Sequence, residues 1–323
     1  MSRLTRGIAG ALLALLILGG CGGGGSSSQQ PVATPSPPTG VPPSPPTASP
    51  TYETASDFTR DRAFSAIGTT LTLTYAPNGV SLLASAAALD DERASIGFTY
   101  QATTRTYRAY YDGDALNAET SSVGLRFVTS DEYAPKANSP AIADYFARTP
   151  FRTGLTYAGL VLWRLGQANP EAPGATLRTH RMLFGVRTLP SDLPSSGVTA
   201  YQADAELSEA ELGTVDLGSI NTIRSVSAQL AVDWSRRKLS GTVRMFPPSD
   251  SHITLENPVD YIVNGTVAPD GHLTGSITGA GLSGSLLGNV YGPAGAEIGF
   301  LLTYGGDRAG QHVDYVGAVL GAK

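Results

Sequence analysis

The chain has one cysteine, Cys21, and it directly follows Leu18-Gly19-Gly20. An aliphatic residue, two small residues and then cysteine form a bacterial lipobox. The small residues admit the signal peptidase, and the thiol is the atom that receives a diacylglycerol. Upstream stand the cations Arg3 and Arg6 and an apolar run from Ile8 to Leu18, the charged and hydrophobic parts of a signal peptide. That run is too short to cross a bilayer, which takes ~20 apolar residues. An ordinary secretory signal would give a stray cysteine no reason to sit after Leu-Gly-Gly. Residues 1–20 are therefore expected to be removed, leaving Cys21 as the acylated (diacylglycerol and palmitate-type) N-terminus of an exported lipoprotein. Gly22 stands where an aspartate would retain the protein on the inner membrane, so the outer membrane of a Gram-negative cell is expected. With Cys21 acylated, no thiol is left for a disulfide or a redox site.

Other chemistry has less support. The histidines are His180, His252, His272 and His312, and no two are spaced like a local metal pair. No metal and no cofactor is expected. The acidic clusters Asp90-Asp91-Glu92, Asp112-Gly113-Asp114 and Asp131-Glu132 lack the alternating oxygen ligands and closing Glu of a calcium loop. They read as solvated turns. Gly279-Ala280-Gly281-Leu282-Ser283-Gly284 fits G-x-G-x-x-G, but the residues after it alternate like a strand, where a dinucleotide site needs a helix. There is no G-x-S-x-G elbow, so an enzyme is not expected. Tyr100, Tyr107, Tyr110 and Tyr111 flank an expected hairpin. Tyrosine suits an interface because it joins contact area to a polar tip. It is also a preferred strand residue, so both readings stand.

These residues must be held by the elements around them. The chain has 323 residues and a formal charge of −5. Losing residues 1–20 removes two cations and no acids, giving −5 − 2 = −7 for the remaining 323 − 20 = 303 residues. An acidic chain has no electrostatic footprint for nucleic acid, and the lipid must hold it at the membrane. Residues 21–51 form a Gly/Ser- and then Pro-rich tether. Nine of the 22 prolines lie between Pro31 and Pro50, which favours extended conformations and prevents a core.

From Tyr52 onward the pattern is β. Asn78-Gly79, Asp112-Gly113, Asn264-Gly265 and Asp270-Gly271 are candidate hairpin turns. Val226, Ala228, Leu230, Val232 and Trp234 alternate with polar residues, as do Leu273, Gly275 and Ile277, and Ile298, Phe300, Leu302 and Tyr304. Alternation implies one buried and one wet face. Eight strands are expected near 198–207, 225–234, 238–246, 259–268, 272–279, 282–291, 296–304 and 314–321. Eight can close as a barrel, with Gly275, Gly284 and Gly288 on its inner, tightly curved side. Residues 52–165 are expected to hold further strands at Leu71–Tyr75, Ile96–Tyr100 and Thr106–Tyr111. Helix is expected over Ala141–Arg148, with Ser139 as N-cap and Pro140 in the first turn. Residues 208–212 and the Ala-rich 84–88 carry weaker helical signals. The fold class expected is all-β: an eight-stranded antiparallel barrel over 184–323, preceded by a β-rich, handle-like domain over 52–183.

One segment is more specific. Gly288-Asn289-Val290-Tyr291-Gly292-Pro293-Ala294-Gly295-Ala296-Glu297-Ile298-Gly299-Phe300 resembles the G-x-[FV]-Y-G-P-x-A-x-E-x-G-G segment of the barrels in transferrin-binding protein B. Phe184–Pro190 with Pro194–Tyr201, Ala231–Trp234 with Ser240–Val243, and the ending Val316–Lys323 follow in the same order. Phe300 replaces the second Gly after the Glu, Gly295 is an extra residue, and the length suffices for one lobe where the family has two. The resemblance implies a surface lipoprotein that captures a ligand without catalysis. That ligand would be a protein or an iron or haem source, passed to an outer-membrane receptor. It supplies no contact residues for transferrin itself. Ligand contacts are expected on loops rather than inside the barrel. The candidates are Tyr107, Tyr110 and Tyr111 in the hairpin Tyr107–Asp114, and His252 in the connection Phe246–Pro258. The rival readings are an adhesive or structural surface protein without a nutrient ligand, and an envelope hydrolase.

Overall fold

A computed structural model of the chain describes residues 51–55, 59–75, 82–91, 95–104, 106–111, 114–119, 131–133, 141–146, 155–166, 176–211, 222–245, 258–308 and 311–323. Alternating apolar residues and short turns produce seventeen strands among the described residues. The only helical element among the described residues is a 3-10 turn at Pro190–Asp192. Residues Ser49–Lys323 form one compact unit.

The first nine strands make a sheet: β1 (Arg62–Tyr75), β2 (Leu82–Asp90), β3 (Ile96–Gln101), β4 (Thr106–Tyr111), β5 (Asp114–Glu119), β6 (Asp131–Tyr133), β7 (Ala141–Phe146), β8 (Ala158–Gly166) and β9 (Thr176–Gly185). Their order is β5-β4-β3-β1-β9-β8-β7-β6, with β2 also on β1. The long β1 bonds β3 through Arg62–Ser65 and β2 through Gly68–Tyr75, with β9 along its other side. One face of this sheet buries Phe64, Phe98 and Phe184, with the rings of Phe98 and Phe184 stacked at 4.1 Å.

The last eight strands close a barrel: β10 (Val198–Glu211), β11 (Thr222–Asp233), β12 (Lys238–Met245), β13 (Val259–Val267), β14 (His272–Gly279), β15 (Leu282–Tyr291), β16 (Glu297–Arg308) and β17 (Gln311–Ala322). All neighbours are antiparallel, and β17 pairs β10 to complete the circle. The expected eight strands are all present, with β16 and β17 running further toward their shared turn than the alternation suggested. Of the expected inward set, Ala228, Leu230, Val232 and Trp234 are buried together in a single core, and the side chain of Val226 lies outside the described residues. Gly275, Gly284 and Gly288 share the inward phase.

Several local expectations are corrected. Ala141–Phe146 is a strand, not a helix. A segment that short cannot offset the cost of helix nucleation alone, and its β-prone Tyr145 and Phe146 pair with β6, Tyr145 also with β8. The Ala-rich 84–88 lies inside β2, and Ser208–Glu211 simply continue β10. In each case an available neighbouring strand overrides weak propensity. Asn264-Gly265 is not a turn but mid-strand in β13. Gly265 sits opposite Gly275, whose Cβ, if it had one, would meet the Gly265 Cα at 2.6 Å. The glycine serves close strand approach rather than reversal. Asp270-Gly271 is a turn as expected, with Gly271 at φ +86°. Asn78-Gly79 and Asp112-Gly113 lie outside the described residues. Gly279–Gly284 is a tight hairpin between β14 and β15, with Ala280 and Gly281 at positive φ. The ordinary reading of its glycines holds.

The outer face of β16 is not wet. Leu301 on β16 and Ala318 and Leu320 on β17 are buried with Ile67, Leu160 and Leu183 of the sheet. The sheet therefore covers one side of the barrel, and both faces of these two strands lie in cores.

Candidate ligand-binding surface

The barrel interior is filled by its own side chains. Tyr201, Trp234, Tyr261, Phe300 and Tyr315 are all fully buried there. Tyr304 stacks on Tyr315 at 4.5 Å and meets Tyr261 edge-on at 5.5 Å. The Tyr201 hydroxyl donates to the Gly295 carbonyl at 2.9 Å, and burial pushes its pKa up. Eight strands leave about this much room and no more.

The expected tyrosines separate by strand phase. All three belong to β4 rather than to a loop. Tyr111 is a core residue: its ring packs 4.9 Å from that of His180 and its hydroxyl donates to the Asp90 carboxylate. The expectation that it contacts ligand from a loop is therefore corrected, because strand alternation turns it inward. Tyr110, on the opposite face, is half-buried over Gly97, with the Arg108 guanidinium 5.5 Å from its ring centre. Tyr107 lies in the same strand, and its side chain is outside the described residues. His252 and Cys21 are outside them too. His180 is buried and hydrogen-bonded to Thr70 through Nδ1 at 2.8 Å. Among the described residues no group of three or more His, Cys, Asp or Glu could hold a metal ion.

The Glu of the resemblance motif has a definite task. Glu297 opens β16 and is buried. Its carboxylate accepts backbone N–H bonds from Thr156, from Tyr157 at 3.0 Å and from Ala158 at 2.9 Å. Three consecutive amides thus hold one anion, the arrangement that best compensates a buried carboxylate. The sheet's lead-in to β8 is bonded to the barrel at this point. Beside it, Tyr52 packs edge-on against Tyr157 at 6.2 Å, and its hydroxyl accepts the Leu189 N–H at 2.8 Å. Ala55 N–H donates to the Thr156 carbonyl. The chain therefore enters the folded unit beside the barrel's lead-in strand. The sequence alone assigns Glu297 no role, since its partners lie about 140 residues away.

No family profile and no curated protein matches the chain. Solved structures do. The isotype 1 transferrin binding protein B from serogroup B Neisseria meningitidis matches with 14% identity over 80% of this chain and 44% of its own, at a TM-score of 0.43. The haemoglobin receptor HpuA from Kingella denitrificans matches with 13% identity over 83% of this chain and 88% of its own, at 0.38. The N-lobe of lactoferrin binding protein B from Moraxella bovis matches with 13% identity over 78% of this chain and 98% of its own, at 0.33. The chain spans less than half the length of the transferrin-binding proteins from Neisseria meningitidis and Haemophilus parasuis that it matches.

Proposed function

We propose that the chain is a lipid-anchored protein of the outer-membrane surface that binds a ligand without catalysis. The observation that carries this reading is the combination of the lipobox at Cys21 with a barrel whose interior is packed shut. Rigid scaffold inside and variable connections outside is the usual division of labour in a capture protein. We take the ligand to be a protein or an iron or haem source, as the sequence resemblance implies, and its onward partner to be an outer-membrane receptor. Residues 52–183 act as the handle and 184–323 as the barrel of a single lobe. Tyr110 and Arg108 are the described residues of the tyrosine hairpin that a ligand can reach.

The test has two parts. Cys21→Ser should move the protein out of the membrane fraction; retention after a carbonate wash would sink the lipoprotein reading. Protease treatment of intact cells should degrade the wild-type protein if it faces outward. Mass spectrometry of whatever co-purifies with the protein then supplies the ligand. A paired Arg108→Ala, Tyr110→Ala variant should bind it less tightly while melting normally.

A further inference from the structure

The two ends of the barrel differ. At one end lie the lead-in to β10, the turn 234–237, the turn 268–271, the connection 292–296 and the end of β17. Hydrogen bonds tie them together: Trp234 N–H to Gly197, Val267 N–H to Arg237, Val290 N–H to Gly271 and Lys323 N–H to Ala296. Tyr52 docks at this same end through the Leu189 amide. So the thirty residues that separate Cys21 from Tyr52 are joined to the fold here.

This end also has an unusual surface. Among the described residues three large hydrophobics are exposed, and two are here: Val198 at 69% and Leu189 at 46%. Next to Val198 in the ladder is Asp233, which leads into Ser235-Arg236-Arg237-Lys238. Arg236 has 81% of its side chain exposed, and Lys238 is exposed. Lysine is scarce, with only Lys136, Lys238 and Lys323 in the chain, yet two of the three stand at this end. The carboxylates here are engaged. Asp192 accepts the Ala294 N–H, Asp233 pairs with Arg236, Asp270 pairs with Arg187, and Glu297 is enclosed by its three amides. The cations at this end, Arg187, Arg236, Arg237, Lys238 and Lys323, stand against Asp192, Asp233, Asp270 and Glu297, whereas at the opposite strand ends, among the described side chains, Asp260, Asp307 and Asp314 stand against Arg244 and His312. In a chain of net charge −5, the cations and the exposed apolar residues coincide where the tether joins.

We propose that this end of the barrel, through Leu189, Val198, Arg236, Arg237 and Lys238, is a docking face for an anionic phospholipid surface, with headgroup phosphates on the cations and the two apolar side chains at the headgroup level. The proposal rests on the lipid-anchor reading for its geometry. By its composition, a link of thirty residues spans between roughly 30 Å as Gly/Ser-type coil and about 90 Å as extended polyproline. It keeps this end at high effective concentration near the bilayer, so a weak contact suffices. Each cation near an anionic surface strengthens binding by about five-fold, and the attraction fades within a Debye length.

Acylation leaves a Val198→Cys variant of the full chain with one reactive thiol, which can carry an environment-sensitive dye. Ser283→Cys, exposed near the opposite end, is the control site. Each labelled protein is reconstituted into vesicles of phosphatidylcholine alone or mixed with phosphatidylglycerol. The dye at position 198 should brighten and shift to the blue only on the mixed vesicles, and high salt should reverse it. The dye at 283 should stay unchanged. Replacing Arg236, Arg237 and Lys238 by Glu should abolish the response while the melting temperature is kept. Two labels per chain would show that Cys21 is not acylated. The docking face is then tested with Cys21→Ser and an N-terminal histidine tag on nickel-chelating vesicles, so the two ideas fail separately. Silence at 198 on mixed vesicles overturns the proposal. So does an equal response at 283, or a response on neutral vesicles that grows with protein density and marks a second copy as the occupant.

Discussion

Glu297 and Ala158 are joined across the whole architecture: the Glu297 carboxylate on the barrel accepts the backbone N–H of Ala158 on the sheet at 2.9 Å. Thr156 and Tyr157 donate to the same carboxylate. Without it, three amides in a largely buried turn lose their acceptor. Glu297→Ala should cost about 3 kcal/mol, within the range for orphaning buried donors and losing charged hydrogen bonds. Glu297→Gln keeps an oxygen and should cost less. Urea unfolding of the three proteins measures both. A loss below about 0.5 kcal/mol for the alanine variant would show that the link is incidental.

Trp234 is 1% exposed, and its indole N–H donates to Thr199 at 2.7 Å. Trp234→Ala deletes a large core ring and should destabilise the protein by about 3–5 kcal/mol. Thr199→Ala removes only the acceptor and should cost about 1 kcal/mol. Equal effects from the two would mean that the ring contributes little packing.

Gly275→Ala should be tolerated poorly even though alanine is small. The added methyl would meet the Asn264 carbonyl and the Gly265 Cα across the ladder, and overpacking of this kind costs about 1–3 kcal/mol. A denaturation midpoint equal to that of the parent would show that the strands can separate without loss.

The Asp270 carboxyl is held below the usual carboxylate range, chiefly by the backbone N–H of His272 and also by Arg187 beside it. A depressed folded pKa adds stability above the ordinary, unfolded value, and that stability is lost as pH falls through the folded value. Wild type should therefore melt above Asp270→Asn at neutral pH, and the two curves should converge in acid. The gap should be small because Asp270 is mostly exposed. A gap that widens on acidification would reverse the sign of this account.

Much of the barrel was legible because each strand has one buried and one wet face, so residues such as Leu230 and Gln229 alternate in plain view. The helix expected over Ala141–Arg148 failed because local propensity is blind to a neighbouring strand that can take the backbone. The outer face of β16 escaped notice for a related reason. Leu301 adds an apolar residue to the wet phase, and its partner Leu183 lies far back in the chain. The tyrosine hairpin was found, but composition alone did not separate Tyr110 from Tyr111, which differ only in the side of the sheet they face. The anchoring role of Glu297 needed the distant turn at 156–158 to be in place.

The barrel is closed by its own first and last strands: Gln202–Glu211 of β10 pair with Val313–Ala322 of β17. The closing strand is the last of the eight in chain order, so the ring cannot be complete before it is made. Until it arrives, β10 offers an open edge and the core stays wet. Closure thus waits on the pairing with the longest sequence separation in the barrel, a topology that folds slowly.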